Sequence, residues 1–249
     1  LKEYLRYSGD ESLVREMLIP LLRIHETFAA WEDADGLIYP QKPYWNFIDW
    51  SYPHPPEPNR ENAGVLNWFR VWSLTATADL LARLGFGQDA RPFRDNAARI
   101  AASVDRRFWN EQRGCYVECE DAPDGLATQI SHAVALLSGG VPDQHHAAAV
   151  AALNRDDLLA PELYMQHLVL RALVRFSNPA FALARVHRYW GPIVSIGSPT
   201  IGECGVHQPH AKSSFFGAAS LCHGFSTTPI DFLQSVVLGV TPTSNGFRQ

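Results

Sequence analysis

Apolar positions recur with the helical period along most of the chain. Over 12–30, Leu13, Met17, Leu21, Ile24 and Phe28 follow a repeat of about 3.6 residues. Pro20 falls inside this run, so a kink or break is expected there, because its ring removes a donor and crowds the preceding turn. The stretch 62–84 predicts a long helix that packs Leu66, Phe69, Val71, Leu74, Ala78 and Leu81 and stops at Gly85. A further helix is predicted over 90–109, with Phe93, Ala97, Ile100, Val104 and Phe108 on one face. Shorter helices are expected over 128–137, 147–153, 162–176, 179–189 and 228–238; Pro179 suits a helix start, where its missing N–H has no intrahelical partner to lose. Residues 1–7 read as the tail of a helix.

The connections come in two kinds. Gly85-Phe86-Gly87 and Ser177-Asn178 are short and join antiparallel neighbours. The connections 33–61, 110–127 and 189–211 are long and carry aromatics, Pro, His and Gly. This alternation predicts an all-α single domain over 1–249, a ring of helical hairpins with short turns on one rim and long loops on the other. Binding groups then gather on the long-loop rim.

Composition narrows the partners. A net charge of −5 points away from nucleic acid and from an anionic membrane surface. No apolar run reaches the ~18 residues of a membrane span. Four cysteines are too few for a disulfide scaffold at this size, so Cys115, Cys119, Cys204 and Cys222 are expected as thiols. No P-loop, dinucleotide fingerprint, nucleophile elbow or HExxH is present, and no cofactor is implied.

Candidate chemistry concentrates in the last fifth. Glu203 follows GSPTIG at 197–202, an implausible helix interior, and His223 lies in SLCHGFS at 220–226. Both segments are poor in charge and bounded by Gly and Pro, which is how a chain presents acid/base groups at a pocket rim. Glu203 reads as a carboxylate for glycosidic chemistry or as an ion-paired cap, and His223 as a sugar ligand or a satisfied core histidine. The run 44–50 (YWNFIDW) sets Asp49 among rings; Trp45 and Trp50 can stack on a sugar face or anchor the core. Glu203, Cys204, His207 and His210 form a possible metal set, although their spacing fits no established zinc pattern. His145-His146 reads as a solvated helix start.

These residues together resemble a known family. FIDW at 47–50, GVLNW at 64–68, Leu84-Gly85 with Asp89-Ala90, Phe108-Trp109, Trp190-Gly191, GSPTIGE at 197–203, SLCHGFS at 220–226 with Pro229, and Leu238-Gly239-Val240 with Pro242 and Gly246-Phe247 recur in order. They resemble the catalytic domain of bacterial α-L-rhamnosidases, the six-hairpin glycosidases of glycoside hydrolase family 78. The resemblance implies an (α/α)6 barrel that removes terminal α-L-rhamnose with inversion. It implies Glu203 as general base, His223 as a sugar contact, Trp50 as a pocket wall, and Asp49 as a pocket or supporting residue. The family's general acid lies in an acidic, Trp-bearing loop early in the barrel, and nothing here matches it. The expectation is therefore a barrel incomplete at its N-terminus, about two-thirds of the whole, completed by the preceding part of the same polypeptide. Gly202 stands where many relatives carry a large aromatic, which leaves the outer wall of the subsite open. The readings that compete are a non-catalytic carbohydrate-binding toroid and a metal-dependent hydrolase.

Overall fold

The computed structural model describes residues 1–41, 44, 46–52, 62–122, 124–205 and 220–247. Three short helices come first: α1 (Lys2–Ser8), α2 (Glu11–Glu16) and α3 (Leu18–Ala29). The expected long helix over 12–30 does break, but at Met17 rather than Pro20. Asp10 caps α2 by accepting the Ser12 N–H, and Pro20 falls in the first turn of α3, where a missing donor is harmless.

Three helical hairpins then follow. The first is α4 (Ala63–Arg83) with α5 (Gly87–Phe108), the second α6 (Gln129–Ser138) with α7 (Asp143–Ala152), and the third α8 (Gln166–Phe176) with α9 (Pro179–Ser195). The first member of each pair also packs on the first member of the next, α4 on α6 and α6 on α8. This makes α4, α6 and α8 an inner layer and α5, α7 and α9 an outer one, the plan of an (α/α)6 barrel. Burial agrees with it. Helix α6 is buried on nearly every side, from Gln129 to Ser138, whereas α5 buries one face through Ala90, Ala97, Ile100, Val104 and Phe108. A helix apolar all round belongs inside, and an amphipathic one belongs at the surface. Next comes α10 (Pro229–Phe232), which packs on α8 and runs into a π-helical turn over Leu233–Val237, and a 3-10 turn over Asn245–Phe247 packs on α1.

The chain is not helical throughout. Strands β1 (Trp109–Asn110) and β2 (Cys115–Tyr116) make a small antiparallel hairpin in the first long connection after α5. Tyr116 is fully buried and meets both Trp68 and Trp109 edge-on, at 5.0 and 4.9 Å between ring centres. His145 is not a solvated helix start. Its ring stacks on Trp109 at 3.9 Å and its Nδ1 lies 2.8 Å from Asp105 Oδ1. Trp68 and Trp190 are core residues, as their positions on the helices suggest.

One buried carboxylate ties the 46–52 segment to the starts of α4 and α6. Glu118 Oε1 accepts the hydroxyls of Tyr52, Thr128 and Ser131, and its Oε2 accepts the Val65 N–H at 2.9 Å. The starts of α4 and α6 and the Tyr52 anchor thus share one acceptor. Four donors compensate much of the cost of burying it, although burial still holds the carboxyl above its usual range.

Candidate active site

Two segments separated in sequence run side by side near the end of α9. The Glu203 N–H donates to the Ser220 carbonyl, and the His223 N–H to the Ile201 carbonyl, each at 2.8 Å. The Thr200 hydroxyl closes on the Leu221 carbonyl at 2.6 Å. Trp190 of α9 holds the second segment by donating its indole N–H to the Ser226 carbonyl at 2.8 Å. The Ser226 hydroxyl in turn reaches the Glu203 carbonyl. Glu203 and His223 therefore belong to one paired platform, both half-buried. The His223 ring stands edge-on to Phe225 at 5.4 Å.

The 46–52 segment meets this platform. Trp50 donates its indole N–H to Glu203 Oε1 at 2.6 Å, and the Ser220 N–H donates to Oε2 at 3.1 Å. Among the described residues one donor reaches each oxygen, and the two together hold the carboxylate in one orientation. Asp49, beside Trp50, is fully buried. Its Oδ2 accepts the N–H and hydroxyl of Ser51 and the Glu162 N–H. It stands behind the tryptophan, and desolvation raises its pKa against those hydrogen bonds.

The sequence predicts a helix over 162–176 that starts at Glu162. Helix α8 instead begins at Gln166, and Glu162 sits in the turn before it, fully buried. Its Oε2 accepts the Gly205 N–H at 2.9 Å, two residues past Glu203. Burial pushes this carboxyl up to about 7; the charges of Asp49 and Glu203 push the same way, against the Gly205 hydrogen bond. The sequence signal is a lone acid inside LAPELY at 159–164, in apolar company. Cys204 is pushed up to about 12, by burial first and then by the charges of Glu162, Glu203 and Asp49. Tyr164 is raised by burial, and its hydroxyl donates to the Ile48 carbonyl at 2.6 Å.

Trp45, His207 and His210 lie outside the described residues. Among the described residues no group of three or more His, Cys, Asp or Glu is arranged to hold a metal, and the cysteines are free thiols. Among the described residues no helix is long and apolar enough to cross a membrane.

Helical hairpins stacked in an inner and an outer layer have the architecture of the six-hairpin glycosidases. The chain belongs to the bacterial α-L-rhamnosidase six-hairpin glycosidase domain family, whose model matches residues 2–237. Among solved structures it is similar to the GH78 family rhamnosidase of Bacillus sp. GL1. Their TM-score is 0.84 at 21% identity, over 99% of this chain and 26% of that one. It is also similar to a rhamnosidase from Klebsiella oxytoca solved with rhamnose bound, with TM-score 0.80 and 23% identity over 96% of this chain and 45% of that one. A third is the α-L-rhamnosidase of Dictyoglumus thermophilum, with TM-score 0.73 and 16% identity over 97% and 27%. The chain thus spans less than half the length of each of these proteins. No curated protein matches it in sequence.

Proposed function

We propose that the chain supplies the general base and part of the sugar pocket of a glycoside hydrolase that removes terminal α-L-rhamnose with inversion of configuration. The observation that carries the reading is the 2.6 Å hydrogen bond from Trp50 to Glu203, which fixes a half-buried carboxylate beside an indole. Family membership and the rhamnose bound by the Klebsiella oxytoca relative support the substrate class.

In this reading Glu203 takes a proton from a water as the water oxygen bonds to the anomeric carbon. The bond to the aglycone oxygen breaks in the same step, and that oxygen receives a proton from a general acid. Inverting enzymes separate the two carboxyls by roughly 6.5–9.5 Å to admit the water. Trp50 walls the pocket and His223 donates to a sugar hydroxyl. The buried charge behind them favours the positive, oxocarbenium-like transition state. None of the residues assigned here supplies the general acid, and the chain spans only 26% and 45% of the Bacillus and Klebsiella relatives.

The test is hydrolysis of an aryl α-L-rhamnoside by the full-length protein and its Glu203→Gln variant, with the first-formed anomer read by NMR. Glu203→Gln should lose about 10²–10⁴-fold in kcat, the range of general-base contributions, while still binding rhamnose. Near-normal turnover in the variant refutes the base. Rhamnose binding without turnover in the wild type would identify a non-catalytic toroid instead.

A further inference from the structure

Glu162 is a fully buried carboxyl to which the hydrolytic step gives no part. Its connections form a closed circuit. Its side chain accepts from Gly205, its backbone N–H donates to Asp49, the next residue Trp50 donates to Glu203, and Glu203 leads back through Cys204 to Gly205. Each link is a single hydrogen bond or a single covalent step, so Glu162 closes the loop between the two segments that make the site. Among the described residues Glu162 Oε1 and Asp49 Oδ1 are both buried without a hydrogen-bond partner. A buried carboxyl with one bonded and one orphan oxygen costs stability, and such costs persist where they serve the site.

We propose that Glu162 is the positioning residue of the base, tying the Glu203 segment to the Asp49–Trp50 segment so that Trp50 and Glu203 meet. This rests on the reading of Glu203 as base. The titratable groups around Glu162 are Asp49 from the 46–52 segment, Glu203 and Cys204 from the platform, and Tyr164 two residues on. Its carboxyl, held up to about 7, ionises within the working range of many enzymes. Ionisation adds negative charge beside Glu203, strengthening it as a base, so kcat rises as pH passes through about 7.

Two variants of the full-length protein separate the clamp from the charge. In Glu162→Gln the amide oxygen can still accept the Gly205 N–H but cannot ionise. In Glu162→Ala both are gone. We expect Glu162→Ala to lose about 100-fold in kcat, the cost of misplacing a reacting group by about 1 Å, with KM within about threefold of wild type. Glu162→Gln should recover to within about tenfold of wild type, and its kcat–pH profile should lack the rise near pH 7. A Glu162→Ala variant with wild-type kcat, or a Glu162→Gln variant that keeps the rise, overturns the proposal. Glu203→Gln measured alongside separates the two claims. If it is inactive while Glu162→Ala is normal, only the positioning role falls; if it turns over normally, the base itself falls. Hydrogen exchange at the Gly205 amide tests the clamp without any substrate. It should speed up in Glu162→Ala and stay slow in Glu162→Gln, and equal protection in both overturns the clamp.

Discussion

The indole N–H of Trp50 donates to Glu203 Oε1 across 153 positions of sequence. The contact sets the direction in which the carboxylate can accept a proton. Trp50→Phe keeps a ring against the pocket and removes the donor. A hydrogen bond to a charged group contributes ~1.5–3 kcal/mol, so we expect kcat on an aryl rhamnoside to fall about 10–100-fold with KM little changed. Steady-state kinetics of the two proteins checks this, and equal kcat values would show that the indole only packs.

Glu162 also carries a prediction about stability. Its folded pKa lies near 7, above the ordinary 4.5, so the folded state holds a proton between those values that the unfolded chain has released. The contribution of Glu162 to stability is therefore complete below about pH 4.5 and declines as pH rises to about 7, by ~3 kcal/mol for a shift of this size. Urea midpoints of wild type and Glu162→Gln from pH 4.5 to 8 should diverge by this amount. Parallel curves would mean that Glu162 ionises normally.

His132 acts in the opposite direction. Buried in α6, its Nε2 accepts the Tyr116 N–H at 2.9 Å, while Nδ1 lies 2.7 Å from the Thr128 carbonyl. Only the neutral tautomer protonated at Nδ1 satisfies both. Burial lowers its pKa to about 4, and His25, against Thr77 and Arg70, falls to about 4 for the same reason. Their contribution is complete above about pH 6.5 and is lost as pH falls toward 4, ~3 kcal/mol for each. The midpoint shift between pH 7 and 4.5 should shrink in His132→Gln; an unchanged shift would remove His132 from the account.

Gly64 marks a close approach between α4 and the chain just after β2, at Val117 and Glu118. A Cβ there would lie 2.4 Å from the Val117 carbonyl oxygen, and the Gly64 N–H donates to the Glu118 carbonyl at 3.0 Å. The backbone on both sides would have to shift. Gly64→Ala should cost ~1–3 kcal/mol, the usual penalty of overpacking, visible as a fall of several degrees in melting temperature. A wild-type melting temperature would show that the two segments can separate freely.

The long helices were legible because their pattern repeats. Over 62–84 the apolar period runs through several turns and Gly85 ends it, and α4 spans Ala63–Arg83. Glu203 and His223 were legible as a pair because both sit in charge-poor, glycine-bounded segments, which the backbone bonds between 201–203 and 220–223 bring together. Glu162 was not legible as a site residue. Its role comes from a backbone N–H 43 positions away, and backbone donors leave no trace in side-chain pattern. Strands of two residues are too short for alternation to register, so β1 and β2 were hidden inside a long connection. The stacking of His145 on Trp109 depends on how α7 meets β1, which local periodicity does not encode.

The platform that carries Glu203 is fastened at two edges, Gly205 to Glu162 and Ser220 to Glu203. One of these bonds ends on a buried carboxyl and the other on a backbone carbonyl, so loosening either edge leaves the second to keep the Glu203 segment in register.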